Sequence, residues 1–416
     1  MTKNKVLLIT ANFPFSPGEE FILNEIPYWD QCKTVELTIL PTGTTPTLRD
    51  LPPSIKLDHS LEKSFSIRSK LRSLAELFFS ATFYRELFEA RVSTLRWSLS
   101  STINYLSLRR ILNRYLRTQD LTNTVIYTYW HAEASYALQS LKKKHSFKLV
   151  TRIHGYDLYQ HRRPGSHMPL KSQFTHHLDV IHTIANHAGP YLEKTYGFDK
   201  RLITISRLGV PALGICTAPT SSGLYNIVSC ANLIPVKRID KLIAALALLP
   251  KKLTNGPLKV TWTHIGAGTL REELETLARK TLGEIEGVDF CFTGLLSNAE
   301  IFAFYRDTPI DIFVNTSESE GVPVSIMEAL SCSIPAIAPN VGGIKEMVQS
   351  DHNGSLLTSN PDPDEISDAL ARVSLYKHPK TRENAYAVFE KNYDASINYP
   401  LFIQEITGLL SNETSP

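Results

Sequence analysis

Short apolar runs rich in β-branched residues recur along this chain, most of them followed by a stretch with helical spacing; the alternation breaks once and then begins again. Residues 6–10, 35–40, 125–129, 149–153, 180–184 and 202–206 form the first series, and 225–230, 260–265, 289–292, 310–314 and 336–338 the second. Strand, turn, helix and strand in succession build a parallel sheet with helices on its faces, so the pattern predicts an α/β fold with doubly wound sheets. The break at 211–223, PALGICTAPTSSG, has no periodicity and reads as a linker. At 416 residues the chain exceeds the usual single hydrophobic core, which agrees with two domains. The expected organisation is 1–212, then 213–385, then a closing helical segment 386–416 that packs back on the first domain. Two such domains leave a cleft, and ligands of open α/β sheets bind beyond the carboxyl ends of the strands.

Composition narrows the partners. The net charge of +3 is too small to argue for nucleic acid, but it is unevenly placed. Residues 61–118 hold eleven Lys and Arg against four acids, a local +7, and the remainder of the chain therefore sums to −4. Residues 66–117 lack Gly and Pro and repeat apolar positions at three- and four-residue steps, which predicts two or three amphipathic helices. Such a basic helical region suits a membrane surface or an anionic lipid-linked acceptor as well as it suits an ordinary solvated face over a core. The five cysteines are scattered without a Cys-x-x-Cys pair, as in a reducing compartment. The first apolar run is too short for a signal peptide and no run approaches the roughly 20 residues of a membrane span. A cytoplasmic location is expected, with peripheral contact at the inner membrane face through 61–118.

The most informative stretch is IDIFVNTSESEGVPVSIMEALSCSIPAIAPNVGGIKEMV, which begins at Ile310. A strand ends at Val314, small polar residues lead to Glu320-Gly321-Val322-Pro323, and a helix is expected to open at Pro323, a residue favoured at the first helical position. The N–H groups of Gly321 and Val322 together with the helix dipole make a seat for phosphate. Glu320 lies just before that seat and Glu328 one to two turns into the helix, so a bound diphosphate has a carboxylate on either side.

Glu, seven residues, Glu, in that setting resembles the signature of the family 4 glycosyltransferases, which have the GT-B fold of two facing Rossmann-like domains. The resemblance runs on through Gly342-Gly343 and Glu346 to HNGSLL. It implies that Glu320 contacts hydroxyls of a donor sugar and that Glu328 holds the ribose. Ser333 departs from the family, which has Gly there. A second match, SCANLIPVKRIDKLIAAL from Ser229, resembles the family's diphosphate-binding segment: Lys237 falls on its lysine, while Asn232 stands where an arginine is expected. An amide donates hydrogen bonds without charge, and charge-assisted bonds are about twice as strong, so Arg238 or a residue from elsewhere is left to compensate. Gly266 and Gly268, in THIGAGTLREELETLA, read alone as a tight turn; in register with the other matches they resemble the family's glycine turn near the nucleotide.

In the first domain FPFSPGEEFILNEI places Gly18 directly after the first strand, like the family's loop approaching donor phosphate and acceptor. RIHGYDLY resembles the family's His-Gly-x-Asp segment, which implies that His154 lines the cleft near the donor sugar with Asp157 on the acceptor side; a structural His154 and a turn-capping Asp157 are the plain alternatives. His161, His167, His176 and His177 lack metal spacing, and Asp362-Pro363-Asp364 sits where a helix cap belongs.

The resemblance implies a retaining hexosyltransferase that needs no metal or other cofactor. Its donor is a nucleotide-sugar, a UDP-sugar first, and its acceptor a saccharide or lipid-linked intermediate of cell-surface polysaccharide biosynthesis. Catalysis would rest on Glu320, His154 and Lys237, and donor binding on Gly18, Asn232, Arg238, Gly266, Gly268, Gly321, Val322 and Glu328. Two rivals remain: a nucleotide-sugar epimerase or phosphorylase on the same fold, and a non-catalytic nucleotide-sugar-binding partner subunit, which Asn232 keeps in view.

Overall fold

The computed structural model describes residues 4–253 and 259–411, which fall into two compact units. The first comprises residues up to Arg207 together with those from Ile397 on, and the second spans Leu208–Ser396. The division therefore falls just before the expected linker, and residues 208–212 and 386–396 belong with the second unit. The reason for the latter is the helix Pro379–Asn392, whose Ala385, Val388 and Phe389 are buried and which packs on the helix Val324–Ser331.

The first unit is built on a seven-stranded parallel sheet. Its strands are β1 (Asn4–Thr10), β2 (Val35–Pro41), β3 (Lys56–Leu57), β4 (Thr124–Thr128), β5 (Lys148–Ile153), β6 (Val180–Thr183) and β7 (Ile203–Ile205), in the order β3-β2-β1-β4-β5-β6-β7. Along β1 the side chains alternate between two cores. Leu7 and Ile9 join Leu106, Leu108 and Leu112 of the long helix Leu95–Leu116. Val6 and Leu8 join Trp29 and, from the closing helix Ala395–Ser411, Phe402, Ile403 and Ile406. Burial on both faces is what makes parallel strands read as continuous apolar runs.

One charge is sealed beneath that closing helix. Arg152 is fully buried, pairs with the equally buried Glu25 at 2.7 Å, and lies 3.9 Å from the ring centre of Phe402. A buried charge is tolerated because it is paired.

The second unit carries a six-stranded parallel sheet: β8 (Leu224–Cys230), β9 (Lys259–Ile265), β10 (Val288–Gly294), β11 (Ile312–Val314), β12 (Ala336–Pro339) and β13 (Gly354–Leu357), ordered β10-β9-β8-β11-β12-β13. In each sheet the strand order reverses beside the first strand, between β1 and β4 and between β8 and β11. Such reversal points open a crevice at the carboxyl ends of the strands. The loops that leave β1, β8 and β11 are among those singled out by sequence, whereas His154 and Asp157 follow β5, one strand away from the reversal.

Candidate active site

In the second unit the loops after β8 and β11 are stitched together at the reversal point. The hydroxyl of Thr316 donates to the carbonyls of Lys237 and Arg238 at 2.9 and 3.0 Å, and Glu318 N–H donates to Val236 O at 2.8 Å. Lys237 closes the short 3₁₀ turn Pro235–Lys237, and Arg238 then takes a left-handed conformation (φ 50°) before the helix Ile239–Lys252. This geometry brings the Lys237 ammonium to 2.6 Å from Glu320 Oε1. Glu320 is 8% exposed. Burial alone would raise its pKa, but Lys237 and hydrogen bonds from Lys237, Ser317 and Asn315 outweigh that and hold the carboxyl below its ordinary value. The two side chains assigned to sugar and phosphate thus meet as an ion pair.

Beyond Glu320 the chain turns through Gly321 and the buried Val322 into the helix Val324–Ser331, with Pro323 as the extended cap residue and not, as the sequence suggested, the first helical one. Among the described residues no backbone acceptor meets the N–H groups of Gly321 or Val322. The Gly342-Gly343 pair packs directly on this turn. Gly343 N–H donates to Gly321 O at 2.7 Å, and a Cβ on Gly342, which has φ +56°, would lie 2.0 Å from Glu320 O. Ser333, the departure from glycine, is left-handed too (φ 60°).

Glu328 projects from the helix into a buried setting and accepts from the Asn298 side-chain amide at 2.5 Å. Burial pushes its pKa up to about 7, with the Asn298 bond pulling the other way. Unlike Glu320, it has no cation partner among its recorded contacts.

Gly266 and Gly268 serve a close approach of two loops. A Cβ on either would lie 2.0 Å from Ala231 O or 2.3 Å from Leu233 O, while Leu233 N–H donates to Ala267 O at 2.9 Å. They hold the backbone around Asn232, whose side chain is exposed. Arg238 makes a two-pronged pair with Asp240 at 3.0 and 3.2 Å, so its guanidinium is already engaged. Asp362 accepts from Glu365 N–H at 2.8 Å and caps the helix Pro363–Leu370, as a turn residue should.

In the first unit, Gly18 lies in the loop after β1, as expected, but the residue that organises this loop is its neighbour. Glu19 is buried in a left-handed conformation, and its carboxylate accepts from the backbone N–H groups of Ala11, Asn12 and Phe13 at 3.1, 2.6 and 2.6 Å and from Trp130 Nε1 at 2.6 Å. Three consecutive N–H groups form an anion nest, and here an internal carboxylate fills it. Glu19→Ala leaves those donors without their acceptor; it is expected to lower the unfolding free energy of the first unit by about 3 kcal/mol. Urea denaturation reads this, and an unchanged midpoint would remove the role.

His154 ends β5. Its ring stacks on Tyr129 (4.8 Å between centres, 17° between planes) and lies 4.7 Å from Trp130, and neither ring nitrogen has a partner. Burial, and then Arg152, hold it neutral, its pKa well below the usual 6.5. Asp157 ties the loops that follow β4 and β5: its oxygens accept from His131 N–H at 2.8 Å and His154 N–H at 2.6 Å. Burial raises its pKa to about 6 against the pull of Lys171 and those N–H groups. Lys171, equally buried, donates to His131 O at 2.9 Å. Asp157 and Lys171 line a cavity of about 420 Å³ walled by Trp97, Trp130, Tyr156 and Arg163.

Comparison with known proteins follows this division. Residues 220–388 match the family described as "Glycosyl transferases group 1". A putative colanic acid biosynthesis glycosyltransferase WcaL of Escherichia coli K12 is 25% identical over 63% of this chain and 64% of its own length, so the match spans less than two thirds of that relative. A GDP-mannose-dependent monoacylated alpha-(1-6)-phosphatidylinositol monomannoside mannosyltransferase of Corynebacterium glutamicum is 24% identical over 88% of this chain and 96% of its own length. The solved lipopolysaccharide outer core galactosyltransferase WaaB superposes with a TM-score of 0.68 at 16% identity, covering 98% of this chain and 99% of its own. Anabaena Alr3699/HepE in complex with UDP-glucose gives 0.64 at 15% identity, over 98% and 100%. Residues 220–388 are thus similar to the glycosyl transferases group 1, in a chain whose two parallel-sheet α/β units have the fold of the GT-B glycosyltransferases.

Proposed function

We propose that this protein transfers a hexose-type sugar from a nucleotide-sugar, with retention at the anomeric carbon, to a saccharide or lipid-linked acceptor of cell-surface polysaccharide biosynthesis. It would act in the cytoplasm at the inner face of the cell membrane, without a metal or other cofactor. The observation that carries this reading is the Lys237–Glu320 pair at 2.6 Å, seated at the start of the helix that also holds Glu328. An ammonium has three donors, so Lys237 can keep Glu320 and still take a phosphate oxygen.

Each group then has one task. Lys237 and the N–H groups of Gly321 and Val322 stabilise the diphosphate as it departs, where negative charge develops. Glu320 accepts from sugar hydroxyls and fixes the sugar's orientation. Glu328 accepts from the ribose hydroxyls. Neutral His154, with two unpartnered nitrogens, offers a donor and an acceptor to the sugar, and Asp157 shapes the acceptor side through the loops it ties. In the transfer the bond from the anomeric carbon to the phosphate oxygen breaks and the bond to the acceptor oxygen forms. The acceptor's proton goes to the departing phosphate. A UDP-sugar is the first expectation because HepE was solved with UDP-glucose, while the mannosyltransferase relative keeps GDP-sugars in the panel.

Calorimetric titration with UDP-, GDP-, ADP- and dTDP-sugars is expected to give one-to-one binding for one base and little for the others. Binding of none would contradict the reading. The exposed Asn232, where charge was expected, favours one alternative, a binding subunit that holds donor without turning it over.

A further inference from the structure

The helices Ile67–Leu77 and Ala81–Glu89 of the first unit send Leu77 and Phe83 to the core but turn most of their large apolar side chains outward. A surface helix normally turns its apolar stripe to the core. In the first of these, Ile67, Leu71, Leu74 and Phe78 fall on one stripe and are 44 to 79% exposed. The face toward the helix Leu95–Leu116 carries the buried Leu77 beside a polar set: Arg110 donates to Glu76 at 2.7 Å, to Ser69 O at 2.8 Å and to Ser73 Oγ at 3.2 Å, and the Ser69 and Ser107 hydroxyls meet, while Ile67, Leu71 and Leu74 border an open groove with Leu99 and Ile103. The second helix repeats the device. Glu86 points inward, 1% exposed, and accepts from Ser98, from His167 and from Leu170 N–H, while Phe88 stands out at 93%. Phe79 and Val92 are 92% and 94% exposed. Ten of the nineteen exposed large apolar side chains of the described residues lie between Ile67 and Leu95, so this surface is set apart from the rest.

The charge around the patch selects its partner. Arg68, Lys70, Arg72, Arg85, Arg91 and Arg96 are all exposed. The acids among them are engaged: Glu76 with Arg110, Glu86 in the interior and Glu89 with the Ser172 hydroxyl. Projecting aromatic and aliphatic side chains ringed by long cationic ones match an anionic bilayer, whose acyl boundary takes the former and whose headgroups take the latter. None of the described helices is long and apolar enough to cross a membrane, so the contact is a surface one.

We infer that this helical pair docks the protein on the anionic phospholipid headgroups of a bilayer, with Phe79, Phe88 and Val92 as the inserting tips. The inference deepens the membrane-face part of the proposed function, rests on it only for the presence of a bilayer, and is independent of the donor chemistry.

The test is co-sedimentation of the full chain with phosphatidylcholine vesicles with and without phosphatidylglycerol. Binding is expected to the anionic vesicles and to weaken with added salt. Phe79→Ser with Phe88→Ser, and separately Arg72→Glu with Arg85→Glu, should each weaken it about tenfold or more. Both variants should keep the nucleotide-sugar affinity of the native chain, which shows that they fold and separates this result from the donor reading. A native chain that stays in the supernatant, or variants that bind vesicles equally well, would overturn the inference. So would self-association of the native chain in analytical ultracentrifugation that Phe79→Ser with Phe88→Ser abolishes, because the patch would then be an interface between copies.

Discussion

Lys237→Ala is expected to lower the turnover of sugar transfer by about 10²–10³-fold, the range found when one preorganised group facing developing charge is removed. The loss has two parts. The departing diphosphate loses its nearest assigned cation, and Glu320, whose carboxyl Lys237 holds below its ordinary pKa, keeps its burial without its counter-ion. The variant's pH–rate profile should therefore show an acid limb displaced to higher pH relative to the native chain. Lys237→Ala combined with Glu320→Gln should cost clearly less than the two single effects together, because the groups touch. Fully additive losses would mean that the pair does not act as a unit.

The second large effect concerns Glu328 and pH. Burial places its pKa at about 7, and accepting from a ribose diol requires the ionised form. Donor affinity should then rise with pH up to about 7 and level off above it, with about a tenfold gain between pH 6 and pH 8. Glu328→Gln should flatten this profile and weaken binding at pH 8 by about 10- to 100-fold, the worth of a charged hydrogen bond. Stability should move oppositely. The folded carboxyl holds its proton up to about 7 whereas the unfolded one releases it near 4.5, so the native chain loses stability as pH rises through that window. The glutamine variant is relieved of that loss. A variant that is both less stable and pH-dependent in donor binding would remove Glu328 from the ribose role. Calorimetry for the affinities and urea denaturation for the stabilities check both halves.

How much was legible in the sequence depends on the distance over which each feature is determined. Strands such as β1 and β8 were readable because burial on both faces makes them continuous apolar runs. The strands β3 and β13 were not: one has two residues, and the other begins with Gly and Ser. Glu320 and Glu328 were legible from their spacing around a helix start, but their unequal electrostatics were not. Lys237 and Asn298, which make the difference, lie 83 and 30 residues away. Glu19 carried no signal of its own in the sequence, since its partner Trp130 is 111 residues on. For Asp157 the tie to His131 could not be seen for the same reason. In the helices between Ile67 and Glu89 the periodicity gave a stripe but not the side that faces the core. Arg110, Ser107 and His167, on later elements, turn that stripe outward.

Release of nucleoside diphosphate from the nucleotide-sugar that binds, followed with and without a lipid extract as a source of acceptor, tests whether the chain transfers sugar. Release is expected with that donor, accelerated by the extract and reduced at least about 100-fold in Lys237→Ala. Binding without release under either condition, or release that Lys237→Ala leaves unchanged, would contradict the proposed transfer.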